Sequence, residues 1–253
     1  MKAFDWIALA GALAWLPYLI NIIRTFFSKP EVRIITARNI ELGFTTYGPI
    51  LNLRVAFAVA NKDVVISNIK LFLKHESGEE KLFTWHGIVQ KLLQMNHPDN
   101  GLPIPFEKES SVLAVKLRTT DIEERFIRFQ DPAYHKNKEG FELKAVKKMN
   151  YLKQSNNFDS FQFVKTEEMK DLYVFIKQSF NWKMGMYSIR FDVDSTEKII
   201  LEDNLYSFEL TQLDIENIEK NKDLIERSYE PTTEANNNEQ INWVWLNPLL
   251  TKD

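Results

Sequence analysis

Hydrophobic and polar positions change period along the chain. From Trp6 to Ile23 no charge interrupts an apolar run broken only by Gly11, Pro17 and Asn21. As a helix this run spans about 27 Å at ~1.5 Å per residue, just short of a ~30 Å hydrocarbon core. Phe26 and Phe27 make up the difference, because the stem of the intervening Arg24 can snorkel. Residues 1–29 therefore read as an N-terminal transmembrane anchor, with Trp6 at the headgroup level. Two alternatives fit less well. A cleaved signal peptide needs a basic start, where Asp5 stands, and a short apolar core, whereas apolar residues continue through Trp15–Ile20. A buried soluble helix is the other. Pro17 would kink an anchor, which a bilayer tolerates.

After Ser28-Lys29-Pro30 the period becomes two. Val32, Ile34 and Thr36 alternate. Leu51, Leu53, Val55, Phe57 and Val59 then form a long apolar face opposite Arg54, Ala56, Ala58 and Ala60. Ile69, Leu71 and Leu73 follow, and Glu76-Ser77-Gly78-Glu79 reads as a hairpin turn into Leu82–Trp85. Pro98, Gly101, Pro103 and Pro105 mark a polar loop over residues 96–106, and Val112–Leu117 reads as a strand. Thr120-Asp121-Ile122-Glu123 matches a capping box, predicting a helix through Ile122, Phe126 and Phe129 that ends at Asp131-Pro132. Residues 139–153 carry a weak helical pattern. Leu172, Val174 and Ile176 predict a strand, as do Tyr187–Val193 and Tyr206–Leu210. Asp214–Tyr229 reads as a charged helix, and Asn236–Gln240 as a disordered polar tail.

These elements give a mainly β fold with helical insertions around 88–165: an immunoglobulin-like β-sandwich over residues 30–229, behind the anchor. A polar C-terminal tail with a Trp-containing segment covers residues 230–253. Met184-Gly185-Met186-Tyr187 enters a strand, and this Gly-x-Tyr resembles the tyrosine corner of immunoglobulin-like sandwiches. The resemblance covers Gly185 and Tyr187 only, without the usual Asp before it or the cysteine after it. It implies that the Tyr187 hydroxyl pins a crossover loop.

Composition removes many chemistries. The absence of cysteine excludes disulfides, thiolate nucleophiles and cysteine-held metals. Only 8 glycines stand among 253 residues, about 3% against a usual ~7%, and no phosphate-binding glycine motif occurs. A net charge of −3 provides no field for nucleic acid. No nucleophile elbow or zincin motif is present. His75, His86 and His97 recur every eleven residues but fall on separate elements, so with His135 they read as surface residues, with no metal site. Asp192 and Asp194 share a strand face and read as a solvated acidic edge in preference to a calcium site. Lys136, Lys138, Lys144, Lys147, Lys148 and Lys153 form a basic run that reads as a solvated helix face, with contact to an anionic leaflet as the alternative.

The expected function is that of a non-enzymatic protein-interaction or assembly module without cofactors, tethered to a lipid bilayer by a single pass. Lysine and arginine follow the anchor (Arg24, Lys29, Arg33, Arg38) more than they precede it (Lys2), which places the large domain on the cytoplasmic side. Ala8, Ala10, Ala12 and Ala14 give small-residue spacings compatible with weak self-association. Trp243 and Trp245 are too costly to leave in water, so their segment is expected to dock on the domain or on an unidentified protein partner. A membrane-bound carrier of an apolar ligand is the alternative function. A hydrolase using carboxylates comes third.

Overall fold

The computed structural model describes residues 14–20, 22–23, 28–94, 104–110, 114–231 and 241–252. Twelve strands form one curled, open sheet: β1 (Glu31–Thr36), β2 (Glu41–Thr45), β3 (Gly48–Ala60), β4 (Val64–His75), β5 (Glu80–Gln94), β6 (Ile104–Ser110), β7 (Val115–Leu117), β8 (Ile122–Gln130), β9 (Gly185–Ser195), β10 (Ile200–Glu202), β11 (Leu205–Leu210) and β12 (Thr251–Lys252). Helices α1 (Pro132–Gln154), α2 (Ser160–Phe163) and α3 (Glu167–Gln178) lie between β8 and β9. Helices α4 (Gln212–Glu219) and α5 (Asn221–Arg227) follow β11.

The strand order is β10-β1-β3-β8-β5-β4-β9-β11-β12, with β2, β6 and β7 added to β3, β5 and β4. Period-two patterning explains the long strands. On β3, Leu51, Leu53, Val55, Phe57 and Val59 all face the core, and on β9 Tyr187, Ile189, Phe191 and Val193 do the same. A sheet this wide with one apolar face must roll up to remove that face from water. The curl brings its two ends together. β10, which lies between β9 and β11 in sequence, crosses to the far end and pairs parallel to β1. On β11 the buried Tyr206 hydroxyl donates to the Ile34 carbonyl of β1 at 2.9 Å. Outside this clasp Arg33 meets Glu202 at 2.9 Å and Asp203 at 3.6 Å, and Lys252 meets Asp203 at 2.6 Å.

Several expectations are corrected. Residues 122–130 form strand β8 and not a helix. Hydrogen-bonded neighbours on both sides, β3 and β5, outweigh the capping-box pattern, and Ile127 and Phe129 point into the core. Asp131-Pro132 begins a helix where a stop was expected. The Asp131 carboxylate accepts from Ala133 N and Tyr134 N at 2.8 and 3.2 Å, with proline at the start of α1 where its missing N–H costs nothing. Leu172, Val174 and Ile176 lie on helix α3: Met169, Leu172, Tyr173 and Ile176 are buried at helical spacing, while Val174 is 50% exposed. The helical insertion therefore spans 132–178, and β5, β6, β7 and β8 take up most of the described residues from 88 to 130. The helix expected over 214–229 is present as α4 and α5, the first closed by a reciprocal Thr211–Asp214 capping box.

The anchor falls largely outside the described residues. Residues 14–20 and 22–23 are helical, and among the described residues no helix is long and apolar enough to cross a membrane. The expected loop over 96–106 lies outside the described residues up to 103, as does the polar stretch 236–240.

Replacing Tyr206 with Phe removes the clasp but keeps the ring. This is expected to cost about 1–2 kcal/mol in urea denaturation with an unchanged m-value. An unchanged midpoint would mean that the Tyr206 hydroxyl adds nothing to the β10–β1 pairing that joins the sheet ends.

Candidate functional site

Three of the residues singled out by sequence, Gly185, Tyr187 and His75, lie together where the β4–β5 hairpin meets the start of β9. Gly185 opens β9 with φ +127, a region closed to side chains, and a Cβ there would stand 2.4 Å from the Glu76 carboxylate. Two residues on, the Tyr187 hydroxyl accepts from Lys183 N at 2.8 Å and donates to Lys183 O at 3.0 Å. It thus ties down the loop four residues upstream. His75 completes the joint. Its Nδ1 meets the Ser77 hydroxyl at 2.8 Å, its Nε2 meets Met184 O at 3.0 Å, and its ring lies 4.7 Å from that of Tyr187. The expectation of a solvated His75 is corrected: it is buried because the hairpin and the loop each supply a partner for one ring nitrogen.

The titratable groups here are committed to structure. Burial pushes the Tyr187 phenol up and keeps it protonated. Hydrogen bonds from Lys183 (2.6 Å) and Lys81 hold the Glu79 carboxyl below its ordinary range. The cavity lined by His75, Glu79, Trp182, Lys183 and Tyr187 measures about 10 Å³, room for little more than one water. The joint can fix a loop and present it.

Trp182 links this joint to the C-terminal segment. Its indole N–H donates to Gly43 O on β2 at 3.1 Å. The ring of Trp245 covers the other side of Gly43, so closely that a Cβ at 43 would stand 2.2 Å from it. Two reciprocal pairs hold the segment down. Leu42 and Leu246 exchange backbone hydrogen bonds at 2.9 Å, and the fully buried Asn221 of α5 gives and takes one each with Val244 at 2.8 Å. Trp243 packs partly buried against the core. Both tryptophans therefore rest on this chain's own domain. Gly43 and Asn221 escaped the sequence reading. The signal was there for Gly43, since a glycine between Leu42 and Phe44 inside a strand marks a close approach by another group. Nothing local distinguished Asn221 from the other polar residues of its helix.

The acidic positions are neutralised. Lys70 meets Asp194 at 2.7 Å and Asp192 at 4.0 Å, and Lys62 meets Glu197 at 2.8 Å. The hydrogen bond from Lys70 lowers the Asp194 carboxyl. They line an open groove of about 470 Å³ with Lys29 and Lys198, and among the described residues no group of three ligands could hold a metal. Glu31 and Glu202 are hydrogen-bonded, which raises the first carboxyl and lowers the second, on an open surface beside Arg33. On the helical side, His86 of β5 and His135 of α1 stack with ring centres 5.6 Å apart. The Nε2 of His135 is buried without a partner among the described residues, and burial, then the neighbouring His86, pull its pKa below 6.5.

Replacing Asn221 with Ala leaves the Val244 peptide groups unpaired. This is expected to cost about 2–3 kcal/mol, to red-shift tryptophan emission and to speed proteolysis after residue 240; wild-type emission and cleavage would show that the segment is held without Asn221. His135 sets a pH dependence. Unfolded, it titrates near 6.5. Because the folded value is lower, the unfolded chain takes up the proton first, so stability is complete above that pH and falls as pH drops through it. Urea midpoints at pH 7.5 and 5.5 are expected to differ less for His135→Gln than for the wild type; equal differences would clear His135.

Compared with known proteins, the chain matches no family model, no curated protein and no solved structure.

Proposed function

We propose that the chain is a single-pass membrane-anchored protein whose curled sheet, read as an immunoglobulin-like β-sandwich, acts as a non-enzymatic protein-interaction or assembly module. The observation that carries this is the helical stretch before β1. Trp15, Leu16, Tyr18, Leu19, Ile20, Ile22 and Ile23 are all exposed, from 48% at Ile22 to 65% at Trp15. Apolar area left in water costs roughly 25 cal/mol per Å², and neighbouring side chains on every face of a helix find cover most simply in lipid. The lysine and arginine bias after this stretch favours a cytoplasmic domain.

The scaffold suits presentation better than chemistry. Its loop at 182–187 is pinned at both ends, and the nearby Glu79 carboxylate is held by Lys183. Met184 and Met186 stand exposed on either side of Gly185, and with the open edges of Trp243 and Trp245 they are the surfaces offered to a protein partner. The carrier alternative gains nothing from the 10 Å³ cavity at this joint, and the 470 Å³ groove is open and lined by the charged Lys29, Asp192, Asp194, Glu197 and Lys198.

In cells the full chain is expected to stay with membranes through an alkaline carbonate wash and to leave them in mild detergent. Deletion of residues 1–27 is expected to release the domain. Recovery of the full-length chain in the soluble fraction without surfactant would overturn the anchor. A chain that purifies alone from mild detergent under several growth conditions would overturn the assembly role.

A further inference from the structure

Helix α1 carries apolar side chains that the fold does not use. Its inner side is settled: Tyr134, Lys138 and Ala145 are buried, and Phe141 stacks on Phe175 of α3 at 4.7 Å. The opposite side presents Leu143 (53% exposed), Val146 (44%) and Tyr151 (65%) among the exposed Lys136, Lys144 and Lys147. The lysines of this helix divide the same way. Lys138 is paired with Glu142 at 2.8 Å and Lys148 with Glu168 at 3.7 Å. Lys136, Lys144 and Lys147 meet no carboxylate among the described residues; Lys144 lies over the Phe141 ring. Lys153 lies over Phe158, which with Phe161 extends the exposed apolar area past the helix end. Glu139 is the acidic exception on this side.

The geometry points to an anionic lipid surface as the occupant of this face. Unpaired lysines ask for a negative partner. Single apolar residues and a tyrosine between them form no groove for a protein knob but match the headgroup–acyl boundary, where lysine stems snorkel and rings sit at the interface. The placement of α1 adds a constraint. Tyr134 bonds Thr46 O at 2.8 Å and Lys138 lies over Tyr47, so the helix starts beside the Gly48 end of β3. Glu31, next to the N-terminal segment, pairs with Ala60 at the other end. Thirteen residues of strand separate these ends by roughly 40 Å. The start of α1 thus stands at the end of β3 away from the anchor, and lipid binding by its basic face does not depend on the anchor reading.

The test uses the full chain in neutral phosphatidylcholine nanodiscs, mixed with vesicles of phosphatidylcholine alone or with phosphatidylserine. Capture on the serine-containing vesicles only is expected, weakening as salt is raised. At about fivefold per lysine near the surface, K144Q/K147Q is expected to weaken it about 30-fold. L143S/Y151S, which keeps the charge, is expected to weaken it as well. These positions are exposed, so thermal melts should match the wild type. Equal capture on neutral vesicles, or capture indifferent to K144Q/K147Q, would overturn the assignment. So would a K144Q/K147Q chain that keeps its vesicles but loses a protein that co-purifies in detergent, which would make the face a protein contact. A chain that does not enter nanodiscs refutes the anchor alone; used without them on the same vesicles, it still reads out the face.

Discussion

The meeting of the two sheet ends is the constraint on which the remaining architecture depends. Twelve strands with one apolar face bury that face only if the sheet rolls up, and rolling leaves two edges side by side that do not pair as neighbouring strands. The chain solves this by threading β10 across the gap onto β1 and by reaching from β11 to the Ile34 carbonyl with Tyr206. β2 poses the same problem on a smaller scale. It pairs with β3 on one side, and on the other Leu42 offers an N–H and a C=O that Leu246 satisfies. The C-terminal segment therefore serves as edge protection, and Trp245 fits because position 43 has no side chain.

Where the sequence was legible, local pattern and tertiary environment agreed. Alternation over Leu51–Val59 and Tyr187–Val193 gave β3 and β9 because one face of each is buried and the other meets water or small neighbours. Where they disagreed, the environment won. Thr120–Glu123 carries a helix-start signal worth about 1 kcal/mol, set against pairing with β3 along all of β8 and with β5 over Phe126–Gln130. Leu172–Ile176 alternates over too few residues to distinguish period two from 3.6, and only the addition of Met169 and Tyr173 reveals the helical face. Gly185 and Tyr187 stand out in the sequence by residue type and spacing, whereas His75 does not. Its burial depends on Ser77 and on Met184, 109 residues away.

The charges follow one rule. On the sheet, Asp194, Glu197, Glu79 and Glu202 each have a lysine or arginine within 3 Å. Such exposed pairs add little stability, with a median near 0–1 kcal/mol. On α1, Lys136, Lys144 and Lys147 stand without a carboxylate partner among the described residues, beside the paired Lys138 and Lys148.

The pairing of Leu42 with Leu246 has a consequence for synthesis. A ribosome conceals the last thirty or so residues of a nascent chain in its tunnel, so β2 emerges long before its partner can reach it. During that interval its outer edge is open beside an exposed apolar sheet, which is the condition in which edge strands recruit foreign chains. Chaperone demand during translation, and misassembly when translation stalls late, follow from this separation in sequence.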